Sequence, residues 1–307
     1  MRHWSTMADP APSSARSAGA NTPPEALFLF GAVSQYIGAA IAVSLFDKIA
    51  APGVALLRVG GAGLMLIAIR RPWRRAWTRT DLALAAAFGS VLALMNLMIY
   101  LAIAELPLGN AVAIEFTGPI AVAALGTRTR RNAAALVLAV AGVGVLAEVQ
   151  PEGSAAGIIF ALFAGAMWAA YIVLGHRVAR VGAAQDGLGV GTVVGALVIL
   201  PFGVGHLAPA IDMPSLLLLA AATGLLSNVI PYSLDQIVMQ RISRGRFALL
   251  QAMLPVTASI IGLVALDQRP SVAEGFGMAL VIAAIAIRSR DVEPTGHNGD
   301  PDEEVPA

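Results

Sequence analysis

Ten apolar segments fill the chain between Glu25 and Ile287: Glu25 to Phe46, Pro52 to Ile69, Leu82 to Ile103, Pro107 to Gly126, Asn132 to Ala147, Ser154 to Gly175, Leu188 to Gly205, Pro214 to Leu234, Gly245 to Leu266 and Pro270 to Ile287. A bilayer-spanning helix needs about 20 mainly apolar residues, and in lipid a helix satisfies its own backbone hydrogen bonds. Several segments open with a proline in the first turn, where its missing N–H costs nothing. Only 13% of the 307 residues are charged, against about 25% in a soluble domain. No polar domain is therefore left in which apolar helices could be buried instead, and the segments read as ten transmembrane helices.

The basic residues set the orientation. Arg2 and Arg16, the cluster Arg70, Arg71, Arg74, Arg75 and Arg79, then Arg128, Arg130 and Arg131, Arg177 and Arg180, Arg241, Arg244 and Arg246, and Arg288 and Arg290 all fall in alternate loops or tails. Of the 20 Lys and Arg, only Lys48 and Arg269 lie in the intervening loops, and Arg58 lies within a span. The positive-inside rule then predicts that both termini are cytosolic, and a missed span would invert every later loop. Trp73 and Trp77 alternate with the arginines of the second loop as in an interfacial belt, which argues for lipid headgroups and against nucleic acid.

Residues 1–24 lack the ordered parts of a cleavable signal and read as a disordered cytosolic tail. Residues 289–307, with Glu303 and Glu304 and no apolar run, read as a disordered acidic cytosolic tail. The chain has no Cys, so thiol chemistry and disulfides are excluded. His3, His176, His206 and His297 are never within four residues of one another, so no helical metal pair exists. Neither a cofactor nor a metal is expected.

The stretch Leu106–Leu125 matches Ile242–Ile261 at a fixed offset, pairing Gly109 with Gly245, Glu115 with Gln251 and Pro119 with Pro255. More weakly, Gly31-Ala32-Val33 followed by Tyr36-Ile37 echoes Gly165-Ala166-Met167 followed by Tyr171-Ile172. Span four thus resembles span nine, and span one resembles span six. A repeat of five helices is odd, so the second copy enters the membrane inverted, as in many secondary transporters. This predicts an all-α integral membrane fold of two inverted five-helix repeats, over 25–148 and 154–288.

The stretch Glu105-Leu-Pro-Leu-Gly-Asn-Ala-Val-Ala-Ile-Glu-Phe-Thr-Gly-Pro119, the stretch Pro231-Tyr-Ser-Leu-Asp235, and Trp168 with Tyr171 resemble the drug/metabolite transporter superfamily. Within it they are most similar to the EamA-domain exporters of the threonine/homoserine efflux type. The resemblance implies export of small metabolites such as those amino acids across the plasma membrane, here a bacterial inner membrane. One departure matters: the carboxylate that such exporters often have before the second-half proline is Leu254 here, so its role does not carry over.

Glu115 lies deep in the fourth span, where a charged carboxylate costs about 2.5–3.5 kcal/mol on insertion scales. It must be protonated, paired with a neighbouring helix, or turned to a polar cavity. Pro119 deprives the Glu115 carbonyl of its helical donor, and Pro255 does the same for Gln251. Pro231 does so for Ser227, beside Asn228. Arg58, the cation within a span, either snorkels to the outer interface or offers a planar fork to a carboxylate; EamA-type sequences commonly have an arginine in this span. Together Arg58 and Glu115 complement a zwitterion. Gln35, Tyr36, Asn96, Tyr100, Trp168, Tyr171, Asn228, Tyr232 and Gln251 are the remaining candidates for a mixed pocket, although interhelical hydrogen bonding would explain any one of them. Asp235 reads as an interface ion-pair partner of Arg241 and Arg244.

These features predict a secondary transporter exporting a small zwitterion against protons, with Glu115 as the coupling group. No Gly-x-x-x-x-Gly-Lys-[Ser/Thr] loop occurs, so no ATPase is indicated. Export of drugs or other amphipathic metabolites is the alternative. An integral-membrane enzyme, from a different class, would lack clustered metal ligands.

Overall fold

A computed structural model describes residues 22–126, 129–148, 155–180, 184–241, 250–251 and 253–289. The predicted tails therefore lie outside the described residues except for 22–24 and 289, as do Ile242 and Gly245 of the repeat match. The regular structure described is helical: α1 (Pro24–Leu45), α2 (Ala51–Arg70), α3 (Arg79–Ile103), α4 (Leu108–Glu115), α5 (Thr117–Gly126), α6 (Arg130–Glu148), α7 (Ala155–Arg180), α8 (Ala184–Gly203), the short α9 (Ala208–Asp212), α10 (Pro214–Gly224), α11 (Ile230–Arg241), α12 (Met253–Leu266) and α13 (Val272–Ser289).

Among the described residues, six stretches are long and apolar enough to cross a membrane: Pro24–Leu45, Ala51–Arg70, Arg79–Ile103, Ala155–Leu174, Asp186–His206 and Pro214–Asp235. Ala133–Leu146, Met253–Leu266 and Val272–Ile287 are shorter apolar helices. The predicted fourth span is not one helix. It breaks at Phe116 into α4 and α5, where Pro119 supplies no N–H to the Glu115 carbonyl. The eighth continues past its predicted end at Leu234 to Arg241, through a π-helical turn at Leu225–Val229 that joins α10 to α11.

Local sequence explains the element ends. Proline lies in the first turn of α1, α2 and α10. Thr78 and Asp81 form a reciprocal capping box at the start of α3. The second helix stops at Arg71, whose left-handed φ of 52° lets its N–H return to the Ile67 carbonyl at 2.9 Å. In the loop that follows, Trp77 Nε1 donates to the Pro72 carbonyl at 2.9 Å and Arg75 lies over the Trp77 ring.

Within a bilayer there is no hydrophobic drive between helices, so close packing of small residues must substitute. A Cβ at Gly89 of α3 would collide with the backbone of Gly191 in α8. The principal packings between the two halves are α1 with α11 and α12, α3 with α7 and α8, α2 with α8 and α10, α4 with α7 and α12, and α6 with α13. Phe30, Leu64, Val137, Leu218, Val264 and Phe276 point outward, an apolar perimeter suited to lipid.

The two ends of the bundle differ. At one end Gly53 meets His206, Gly157 meets Glu105, and Gln268 Oε1 accepts from Leu108 N at 3.0 Å. At the other, Arg241 donates to the Thr22 carbonyl at 3.3 Å.

Candidate functional site

The site is organised by the irregular turn at Leu225–Val229. Ile230 N donates to the Leu225 carbonyl, five residues back, which bypasses Leu226. Pro231 has no N–H, which leaves the Ser227 carbonyl without its own helical donor. Two successive carbonyls thus lack intrahelical partners in a region where an unmade hydrogen bond is costly. Side chains from neighbouring helices cap both. Ser34 Oγ donates to the Leu226 carbonyl at 2.8 Å, and Arg58 Nη2 donates to the Ser227 carbonyl at 3.2 Å. Ser227 Oγ returns a bond to the Gln35 carbonyl at 2.8 Å, stapling α1 to the turn. The approach is close enough that a Cβ at Gly38 would strike Ser227 Oγ.

Arg58 is buried, with 4% of its surface exposed. Its Nε donates to Asn228 Oδ1 at 2.8 Å, and its guanidinium carbon lies 4.7 Å from the centre of the Tyr100 ring. It does not snorkel to an interface. The two hydrogen bonds use its Nε side, and the guanidinium also lies beside the Tyr100 side chain, whose hydroxyl is buried.

Glu115 is buried at the last residue of α4. It lies within electrostatic reach of Arg58, Tyr36 and Tyr232, yet makes no ion pair or hydrogen bond among the described residues. Its carbonyl meets α7 at Gly165, where a Cβ would come within 2.5 Å of that oxygen, and a Cβ at Gly118 would collide with the Gly165 backbone. The break in the fourth span and the acid thus sit against one glycine seam.

Aromatic rings surround this centre. Phe116 meets Trp168 edge-on at 4.5 Å; Tyr171 stacks on Phe88 at 4.8 Å and lies 6.2 Å from Tyr232. Asn96 Nδ2 donates to its own helix at the Leu92 carbonyl, 2.7 Å away, and its side chain adjoins Tyr232. Gln35 contributes its backbone carbonyl. Gln251 is half-buried and Pro119, Pro231 and Pro255 are buried; Gln251 has no polar contact with the others among the described residues. Between Arg58 and the Gln268 end stands Tyr100, whose ring meets Phe46 at 5.9 Å. Phe46 in turn lines an open pocket of about 380 Å³ with Asp47, Glu105 and Gln268.

Two further acids are placed differently from one another, Asp235 within electrostatic reach of Tyr36, Tyr171 and Tyr232 and Glu274 at the start of α13. Glu274 accepts from Asn110 Nδ2 at 2.6 Å and from Ser271 N at 2.7 Å, which ties the start of α13 to α4. Asp235 makes no ion pair among the described residues, so its predicted pairing with Arg241 is not formed; Arg244 lies outside the described residues. Sequence reading also missed Phe88, Phe116 and Ser34. The spacing of Gly31, Ser34 and Gly38 along one face of α1 was the signal for a close helix contact at Ser34.

Residues 155–290 match the model of the EamA-like transporter family. Over 265 residues, 85% of this chain, the sequence is 36% identical to the threonine/homoserine exporter RhtA of Salmonella typhimurium (strain SL1344), covering 89% of that protein. The chain belongs to the EamA-like transporter family. It is also 35% identical to the threonine/homoserine exporter RhtA of Escherichia coli (strain K12), with the same coverage of both chains. A solved crystal structure superposes over 88% of this chain and 99% of its own at a TM-score of 0.55 and 18% identity, a likeness of fold. This EamA-type chain is thus a multi-pass membrane transporter, and the buried Arg58 centre lies among the helices of both its halves.

Proposed function

We propose that this protein exports small zwitterionic metabolites, amino acids such as threonine or homoserine, by secondary proton antiport across the plasma membrane. Both termini are cytosolic, and residues 25–148 and 154–288 form inverted five-helix repeats. The observation that carries the reading is the pairing of a buried guanidinium with a buried, unpartnered carboxylate in one ring-lined centre. A cation and an acid at membrane depth are functional by default, because each is expensive to place there. The planar guanidinium of Arg58 suits a carboxylate; Glu115 suits an ammonium or a proton, and the two would compete for it. Two relatives named as threonine/homoserine exporters support the substrate class.

Helix packing supports the repeat. Exchanging each span of the first half for its counterpart five spans later maps the principal between-half packings onto one another: α1 with α11 exchanges with α3–α7, α2–α10 with α3–α8, and α1–α12 with α4–α7. The pairs α2–α8, α4–α12 and α6–α13 map onto themselves. One end of the bundle supports alternating spans, since Glu105 and Gln268, from two loops assigned outside, line one pocket there.

Counterflow in proteoliposomes tests the proposal. Vesicles loaded with threonine or homoserine should accumulate the labelled amino acid, with a panel of uncharged amphipathic drugs giving no exchange. Exchange of the drugs without the amino acids would favour the alternative reading.

A further inference from the structure

The Asn228 amide nitrogen is buried and has no hydrogen-bond partner among the described residues, while the residue as a whole is 1% exposed. A buried donor left unmatched is costly and calls for an explanation. Its identity is not in doubt. Arginine carries donors only, so the atom that Arg58 Nε faces at 2.8 Å must be the amide oxygen. The –NH₂ is therefore the group directed away from that bond. The geometry of an amide, with its oxygen and nitrogen on one carbon, keeps this nitrogen within about 5 Å of Arg58 Nε. The arginine thus fixes the orientation of the Asn228 amide and leaves its Nδ2 donor close to the guanidinium with no protein partner among the described residues.

We propose that the Asn228 Nδ2 group donates to the carboxylate of the transported solute, making Asn228 a specificity residue for carboxylate-bearing substrates; this rests on the Arg58 centre being the substrate site. The bond between Arg58 and Asn228 then has two consequences. It fixes which way the amide faces, and it removes the amide oxygen, which would otherwise repel a carboxylate. Two neighbouring donors select an anion over an amide or an ester.

The test is equilibrium binding to the full-length protein in nanodiscs with threonine, threoninamide and threonine methyl ester. The last two carry the same charge, but only the amide offers an N–H donor at the position of the carboxylate. Asn228→Asp retains an oxygen for Arg58 and replaces the donor with an acceptor. Wild type should prefer threonine. Asn228→Asp should lose threonine affinity at least ten-fold and should bind threoninamide about ten-fold more tightly than the methyl ester, a preference absent from wild type. Loss of threonine binding with equal affinity for amide and ester would overturn the proposal, because it would mean that the new charge merely neutralises Arg58. Asn228→Ser provides a second arm that leaves the Arg58 charge untouched: its short side chain should weaken threonine about ten-fold, and unchanged threonine affinity would overturn the proposal. Arg58→Ala separates the premise from the inference. If that variant binds threonine like wild type, the Arg58 centre is not the substrate site; if it fails while both Asn228 variants bind normally, the site stands and Asn228 is only a support for Arg58.

Discussion

The guanidinium of Arg58 donates to the carbonyl of Ser227, 169 residues away in sequence, at 3.2 Å, and that carbonyl is one that Pro231 deprives of a helical donor. A proline in one half of the chain thereby creates the acceptor that positions a cation from the other half. The same contact anchors Arg58 on one side, with the Tyr100 ring against its guanidinium.

Pro231→Ala should restore an N–H that competes for the Ser227 carbonyl. The expected result is unchanged or higher thermal stability together with roughly five-fold weaker substrate affinity, the equivalent of one neutral hydrogen bond of about 1 kcal/mol. Thermal melts and binding isotherms on the same preparation check both. A destabilised variant with normal affinity would show that the turn is a packing device.

Arg58→Ala should lower affinity for a carboxylate-bearing substrate roughly ten- to a hundred-fold, from the loss of a charge-assisted bond worth about 1.5–3 kcal/mol. Protein abundance should fall far less. Normal transport by a well-expressed variant would remove Arg58 from the substrate path.

Gly118→Ala should destabilise the protein by about 1–3 kcal/mol, because its Cβ would collide with the backbone of Gly165 beside the Glu115 carbonyl. Gly144→Ala is the control: nothing lies within 4 Å of its Cβ, so the change should be neutral or stabilising by up to about 1 kcal/mol through helix propensity. Thermal unfolding in one detergent compares the two.

Reporters fused after Arg75, Arg130, Arg180 or Arg244 should be cytosolic, and those after Lys48 or Asp212 external. An external reporter in the Arg70–Arg79 loop would invert the whole assignment.

The helical class, the apolar segments and the break near Pro119 could be read from sequence because hydropathy and proline act locally. So could the orphaned Ser227 carbonyl, which needs only Pro231 four residues on. What fills that carbonyl could not be read, because Arg58 reaches it across the halves, from 169 residues away in sequence. Sequence reading offered Arg58 a substrate carboxylate or the outer interface, and did not foresee that Asn228 and Ser227 hold it from the other half. The π turn at Leu225–Val229 carries no signature that separates it from an ordinary apolar helix. Phe88 and Phe116 were overlooked for a related reason: an inward phenylalanine reads in sequence like the outward Phe30. Glu274 is occupied by Asn110 and Ser271, a capping arrangement that only the folded chain displays.

The most direct test of the account is proton movement driven by substrate in proteoliposomes containing Glu115→Gln, which keeps the side-chain shape while removing its ability to exchange a proton. The account predicts a folded protein that still exchanges substrate for substrate, with no substrate-driven proton flux and a flattened pH dependence of exchange. Wild-type proton flux in that variant, or efflux still driven by a pH gradient, would contradict it and reduce Glu115 to a structural residue.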